Sequence, residues 1–119
     1  MMVRNALLLS ACIAGAASGA ALPDSTAAPW PARPIRLIVP FPPGSSTDSA
    51  ARLIAPKLGD TLGQQVVIDN RAGASGNIGV ELGARAAADG YTLTLGTAST
   101  HAVAASVNAR TGYDPEKDF

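Results

Sequence analysis

Three short apolar runs set the rhythm of the chain. Each is followed by small polar residues and then by apolar positions at helical spacing. The first run, IRLIV at 35–39, is β-branched or leucine except for Arg36. That near-continuous pattern fits a strand in a sheet covered on both faces. Pro40, Pro42 and Pro43 stop it, because proline supplies no ladder donor. Gly44 permits a turn with positive φ. Ser45, Ser46 and Thr47 all suit an N-cap, and Ser45 with Asp48 resembles a capping box, with Asp where Glu or Gln is usual. A helix is predicted over 47–60, with Ala51, Ile54, Ala55 and Leu58 on one face. Pro56 lacks the N–H that would bond the carbonyl of Arg52, so a kink or an early end is expected there. Gly59 and Gly63 mark the exit.

The second strand is predicted over 65–69, with Val66, Val67 and Ile68 apolar. NRAGASGNIG at 70–79 is a second strand-to-helix loop, with Ser75 or Asn77 as cap. Ile78, Leu82 and Ala86 make a thin apolar stripe on the helix that follows. Asp89-Gly90 signals a turn. The third strand, 91–95, alternates: Tyr91, Leu93 and Leu95 on one side, Thr92 and Thr94 on the other. Gly96 ends it, Thr97 to Thr100 form a third small polar loop, and a short helix is predicted over 101–108. Strand and helix thus alternate three times. The fold class that follows is α/β, a mostly parallel sheet with flanking helices and right-handed crossovers. The three polar loops then meet at the carboxyl ends of the strands, the ligand side of open α/β sheets.

The amino terminus breaks this rhythm. Arg4 precedes an apolar stretch at 6–17, and Ser18, Gly19 and Ala20 resemble a small-x-small cleavage site. Residues 1–21 therefore read as a secretory signal peptide, cleaved near Ala20 or Ala21. The apolar stretch is shorter than the ~20 residues of a spanning helix. LSAC at 9–12 also resembles a lipoprotein box that would leave a lipidated Cys12, but the apolar run continues past the cysteine. Residues 22–34 form a proline-rich, extended lead-in.

Composition narrows the function. The 119 residues leave room for one domain at most, and nine basic residues balance nine acidic ones. No basic patch supports nucleic-acid binding. A single cysteine allows no internal disulfide and no thiolate metal cluster. No loop has the phosphate-binding lysine pattern, the dinucleotide glycine spacing or a nucleophile elbow. What the loops do carry is donors. Ser45, Ser46, Thr47, Ser75, Thr97, Ser99 and Thr100 supply hydroxyls, and the glycines expose N–H groups. Such a set can hold a carboxylate without a fixed cation. Each hydroxyl serves equally well as an N-cap. Asp48 is either a ligand partner or a helix-start carboxylate, and Arg71 either an anion partner or a solvent-facing loop residue. His101, the sole histidine, has no second ligand for a metal and no spacing that demands a triad. Asn77 reads as a loop-holding residue. No cofactor is expected. An enzyme acting on a small organic acid, with His101 or Asp48 as base, is the competing reading, and a remnant without binding activity is a third.

From Trp30 to Phe119, the run IRLIVPFPPGSSTD, then NRAGASGNIG, GTASTHA and YDPEKDF, resembles the amino-terminal part of the Bug family. These are the extracytoplasmic solute receptors of tripartite tricarboxylate transporters. The resemblance implies a two-domain, periplasmic-binding-protein-like (Venus flytrap) fold, of which residues 35–119 are an incomplete first domain. It implies a periplasmic location, small organic carboxylates as ligands, and the transporter's membrane components as partners. It carries the binding loops onto Pro43, Gly44, Ser45, Ser46, Thr47 and Asp48, onto Gly76 and Asn77, and onto Gly96, Thr97, Ser99, Thr100 and His101. The family usually has a second glycine where Ser45 stands, a proline at Ala72 and a glycine at Ser75. The final residues, GYDPEKDF, read as the middle of a longer fold.

Overall fold

The computed structural model describes residues 29–107 and 111–119. The expected signal peptide, the start of the lead-in and the end of the third helix lie outside the described residues.

Three parallel strands, β1 (Ile35–Val39), β2 (Val66–Asn70) and β3 (Thr92–Thr94), form a sheet in the order β2-β1-β3. β1 is central, its register running from Ile35 opposite Val66 to Val39 opposite Asn70. Arg36, Leu37 and Ile38 stand opposite Thr92, Leu93 and Thr94 on the other side. This placement explains the continuous apolar run of β1: Ile35, Leu37, Ile38 and Val39 are all buried. One sheet face packs Leu37 and Val39 against Ala51 of helix α1 (Ser46–Leu62), with Val66, Ile68, Leu93 and Leu95 around them. On the other face helix α2 (Asn77–Ala84) approaches β3 so closely that a Cβ on Gly83 would collide with the Thr94 hydroxyl. The first crossover runs from β1 out to β2 and the second runs back from β2 past β1 to β3, so crossovers of one hand place their helices on opposite faces.

Several expectations shift. β2 begins and ends one residue later than the apolar run suggested, because its ladder with β1 takes in Asn70. β3 is shorter than 91–95, although Leu95 N still donates to Ile38 O (2.9 Å). α1 does not end early at Pro56 but continues to Leu62. Its packed side chains are small: Ala51 and Ala55 are buried, whereas Ile54 is 50% exposed and not on the core side as expected. The α2 stripe is also corrected. Ile78 is 52% exposed and Leu82 lies outside the core, while Gly79 and Val80 are the buried residues. A Cβ on Gly79 would fall 2.7 Å from Pro40 Cα, so glycine lets this helix reach the end of β1. Neither Ser75 nor Asn77 caps α2: Gly76 occupies the N-cap in the left-handed region. The third helical segment starts before His101, as a π-turn over Ser99–Val103 continuing into α3 (Ala104–Val107).

The described part of the segment before β1, residues 29–34, contributes no residue to the core. It is tied to the turn before β3: Ala32 N donates to the Tyr91 hydroxyl (2.8 Å), and the Arg33 guanidinium sits 4.1 Å from the centre of the Tyr91 ring.

Candidate functional site

The loops after β1, β2 and β3 come together at the carboxyl edge of the sheet, and Gly76 marks their meeting point. A Cβ there would stand 2.8 Å from Thr100 Cγ2, 3.2 Å from Phe41 Cζ and 3.5 Å from the Pro40 carbonyl oxygen. With φ at +96° as well, only glycine fits without strain.

The first loop is built around Asp48. Its carboxylate is buried, 2% exposed. Oδ2 accepts from Gly44 N (2.9 Å) and Arg52 Nε (2.8 Å), and Oδ1 accepts from Asn70 Nδ2 (2.9 Å). The Arg52 guanidinium, followed by Gly44 N–H and the Asn70 amide, holds this carboxyl far below the usual carboxylate range. Asp48 in turn pushes the Arg52 guanidinium up. The capping box forms in half. Asp48 N donates to Ser45 Oγ (3.2 Å), but Ser45 N is engaged by Pro42 O (3.2 Å), so the Asp48 carboxylate reaches back to Gly44 instead. Gly44 accommodates this with φ at +82°. Two donors are left over at the helix start. The N–H groups of Ser46 and Thr47 have no hydrogen-bond partner among the described residues, nor do their hydroxyls.

The third loop closes on itself. Thr97 N donates to Thr100 Oγ1 (3.1 Å) and Thr100 N to Thr97 Oγ1 (3.3 Å), a reciprocal box that no Glu or Gln is needed to make. Thr100 is fully buried and its hydroxyl also contacts His101 Nδ1 (3.0 Å). The imidazole lies against Gly96, where a Cβ would come within 2.7 Å of its Cε1. Ser99 is exposed, and among the described residues the N–H groups of Gly96, Ala98 and Ser99 have no partner.

The second loop contributes shape more than donors. Asn77 Oδ1 accepts from the Tyr113 hydroxyl (3.2 Å), which also donates to Thr100 O. Burial raises the pKa of this phenol. Arg71, by contrast, is drawn sideways: its Nε donates to both oxygens of Asp69 (2.9 and 3.1 Å), which Arg36 also binds. Burial pushes Asp69 up, but the two guanidiniums outweigh it and leave the carboxyl below its ordinary range. Two cavities lie along β2, one between α1 and β2, the other beside Arg36, Asp69 and Arg71. The loop cluster is an open wall.

The geometry thus divides the expected site. Ser46, Thr47, Gly96 and Ser99 retain open N–H donors among the described residues, whereas the Gly44 N–H and the side chains of Asp48, Thr100 and Asn77 are engaged within the protein. Pro43 is exposed in the first turn, Ser45 caps α1, and the Thr97 hydroxyl accepts from Thr100 N. Sequence reasoning missed Asn70, Arg52 and Tyr113. The signal for Asn70 was its place as the polar last residue of an apolar strand. For Arg52 it was the spacing of four from Asp48 on a helix. For Tyr113 none was available.

Residues 50–119 match the model of the tripartite tricarboxylate transporter family receptor. Over 84 residues the chain is 58% identical to protein BugT of Bordetella pertussis, covering 71% of this chain and 26% of BugT. The structure of Rpa4515 from R. palustris with adipate superposes with a TM-score of 0.69 at 49% identity, over 73% of this chain and 29% of that one. MatC from Rhodopseudomonas palustris with bound malate gives 0.73 at 41% identity, over 76% and 31%. The chain spans about a quarter to a third of the length of these relatives.

Proposed function

The chain belongs to the tripartite tricarboxylate transporter receptor family, and on that premise we propose that it forms the first-domain wall of a receptor that captures a small organic carboxylate. The observation that carries this reading is the cluster of strand-end loops. Two of them present N–H groups without a partner among the described residues, and the loop guanidinium of Arg71 is bound to Asp69. Helix starts favour an anion by ~0.3–1 kcal/mol per well-placed charge. The neighbours with adipate and malate support a carboxylate as ligand. In this reading residues 35–119 belong to the first of two domains, the receptor is exported to the periplasm, and it delivers ligand to the transporter's membrane components. Among the described residues no helix is long and apolar enough to cross a membrane.

The role is binding, not turnover. Asp48 makes a poor general base, since its carboxylate is engaged by three donors and its proton affinity is depressed. Incubating the full-length protein with adipate and with malate tests the reading. A raised melting temperature with chemically unchanged acid is expected. Turnover of either acid, or no binding of any small carboxylate, contradicts it.

A further inference from the structure

Asn70 is placed where the first two loops meet. It is the last residue of β2, held opposite Val39 by the parallel ladder. Its amide donates twice: to Phe41 O (3.1 Å), just past the end of β1, and to Asp48 Oδ1 (2.9 Å). Asp48 carries the connection on to Gly44 N (2.9 Å), and Arg52 supplies the counter-charge. The chain therefore leaves β1, turns at Pro42–Gly44 and starts α1 with both sides of the turn fastened to one amide. No other side-chain amide or hydroxyl among the described residues bonds to the Phe41 carbonyl or to the Asp48 carboxylate. Directly after this turn stand the N–H groups of Ser46 and Thr47, without a partner among the described residues.

We infer that Asn70, acting through Asp48, is a positioning residue for ligand capture: it fixes the β1–α1 turn so that the N–H groups of Ser46 and Thr47 converge on a carboxylate. This rests on the reading of these loops as the ligand wall. Neither Asn70 nor Asp48 touches the ligand. The Asp48 carboxylate is occupied by three donors, and both amide hydrogens of Asn70 are spent on protein acceptors. Removing the amide frees the turn without removing a ligand donor. The loss falls on every carboxylate alike, because what is lost is a shared geometry and not a contact with one ligand.

The test uses the full-length protein with malate and adipate as probes. Asn70→Ala and Asn70→Asp are titrated with both acids, and melting temperatures are recorded beside the affinities. Ile35→Ala, at the opposite end of β1, is the control for general destabilisation. Both Asn70 variants are expected to weaken malate and adipate by a common factor of about tenfold or more. The order of the two acids stays that of the parent, and Ile35→Ala retains parental affinity despite a lowered melting temperature. Backbone amide exchange at Gly44, Ser46 and Thr47 in the unliganded protein quickens in the Asn70 variants only. Should Asn70→Ala fail to fold, Asn70→Ser is read in its place. Parental affinity in the Asn70 variants overturns the inference. So does loss of one acid with retention of the other, which makes Asn70 a direct contact, and so does an equal loss in Ile35→Ala. A parent that binds neither acid sinks the functional reading as well, a result distinct from a binding parent with an indifferent Asn70.

Discussion

At the scale of single residues, the capping motif after β1 has two functions that the sequence could not separate. Ser45 caps α1, as its residue type suggested, but Asp48 turns inward and binds the loop. A sequence shows that an Asp lies three residues after a Ser. It does not show that the Ser45 N–H is already taken, or that an Asn arrives from the next strand. Two predictions follow from the distinction. Asp48 has a folded-state pKa below its unfolded value of about 3.9, so it contributes stability above that value and loses it as pH falls through the folded one. Melting temperature should therefore drop as acid is added below pH ~4, and the drop should be shallower in Asp48→Asn, which is already destabilised at neutral pH. Parallel acid slopes in parent and variant would refute this. The two threonines should also differ. Thr100→Ala breaks a reciprocal cap and should cost about 1 kcal/mol of stability, measured by denaturant unfolding. Thr47 makes no hydrogen bond through its side chain among the described residues, so Thr47→Ala should leave stability close to parental.

At the scale of elements, strand, helix and loop order were legible because the apolar runs are short and separated by glycine and proline. The boundaries moved by one or two residues where a ladder or a cap reached further than the hydrophobic pattern. The helix faces were read less well. α1 lies against the sheet through Ala51 and Ala55, which the helical spacing had marked, while Ile54 of the same expected face turns outward; α2 packs through Gly79 and Val80, which did not stand out, while the larger Ile78 faces outward. Close approach of backbone to backbone, not bulk, decides those faces. Gly76→Ala should accordingly push the second loop off Thr100 and Phe41 and cost both stability and affinity, a loss visible as a lower melting temperature and a weaker titration. Pro56, in contrast, is an exposed proline inside a continuous helix. Pro56→Ala restores a donor to the Arg52 carbonyl and should raise stability by about 2 kcal/mol, the ~3 kcal/mol helix cost less the unfolded-state entropy that proline removes.

At the scale of the whole molecule, β2 and β3 each pair on one side only among the described residues, and Leu53, Ile54, Val67 and Ile78 are exposed. Two uncovered edges and several uncovered apolar side chains make a weak independent unit. Residues 22–119 expressed alone should unfold without a sharp transition. Export is a separate matter, resting on residues 1–21. Intact mass of the secreted form should lack that segment and carry no lipid, and a lipid on Cys12 would contradict it. The central claim is that neutral donors at helix starts, not a guanidinium, hold the carboxylate. Titration of malate into the full-length parent, Thr47→Ala and Arg71→Ala tests it most directly. The account predicts about tenfold weaker binding in Thr47→Ala at unchanged melting temperature, as one hydrogen bond to a charged ligand is worth ~1.5–3 kcal/mol, with Arg71→Ala close to the parent. Abolished binding in Arg71→Ala beside parental affinity in Thr47→Ala would contradict it and point to a guanidinium clamp.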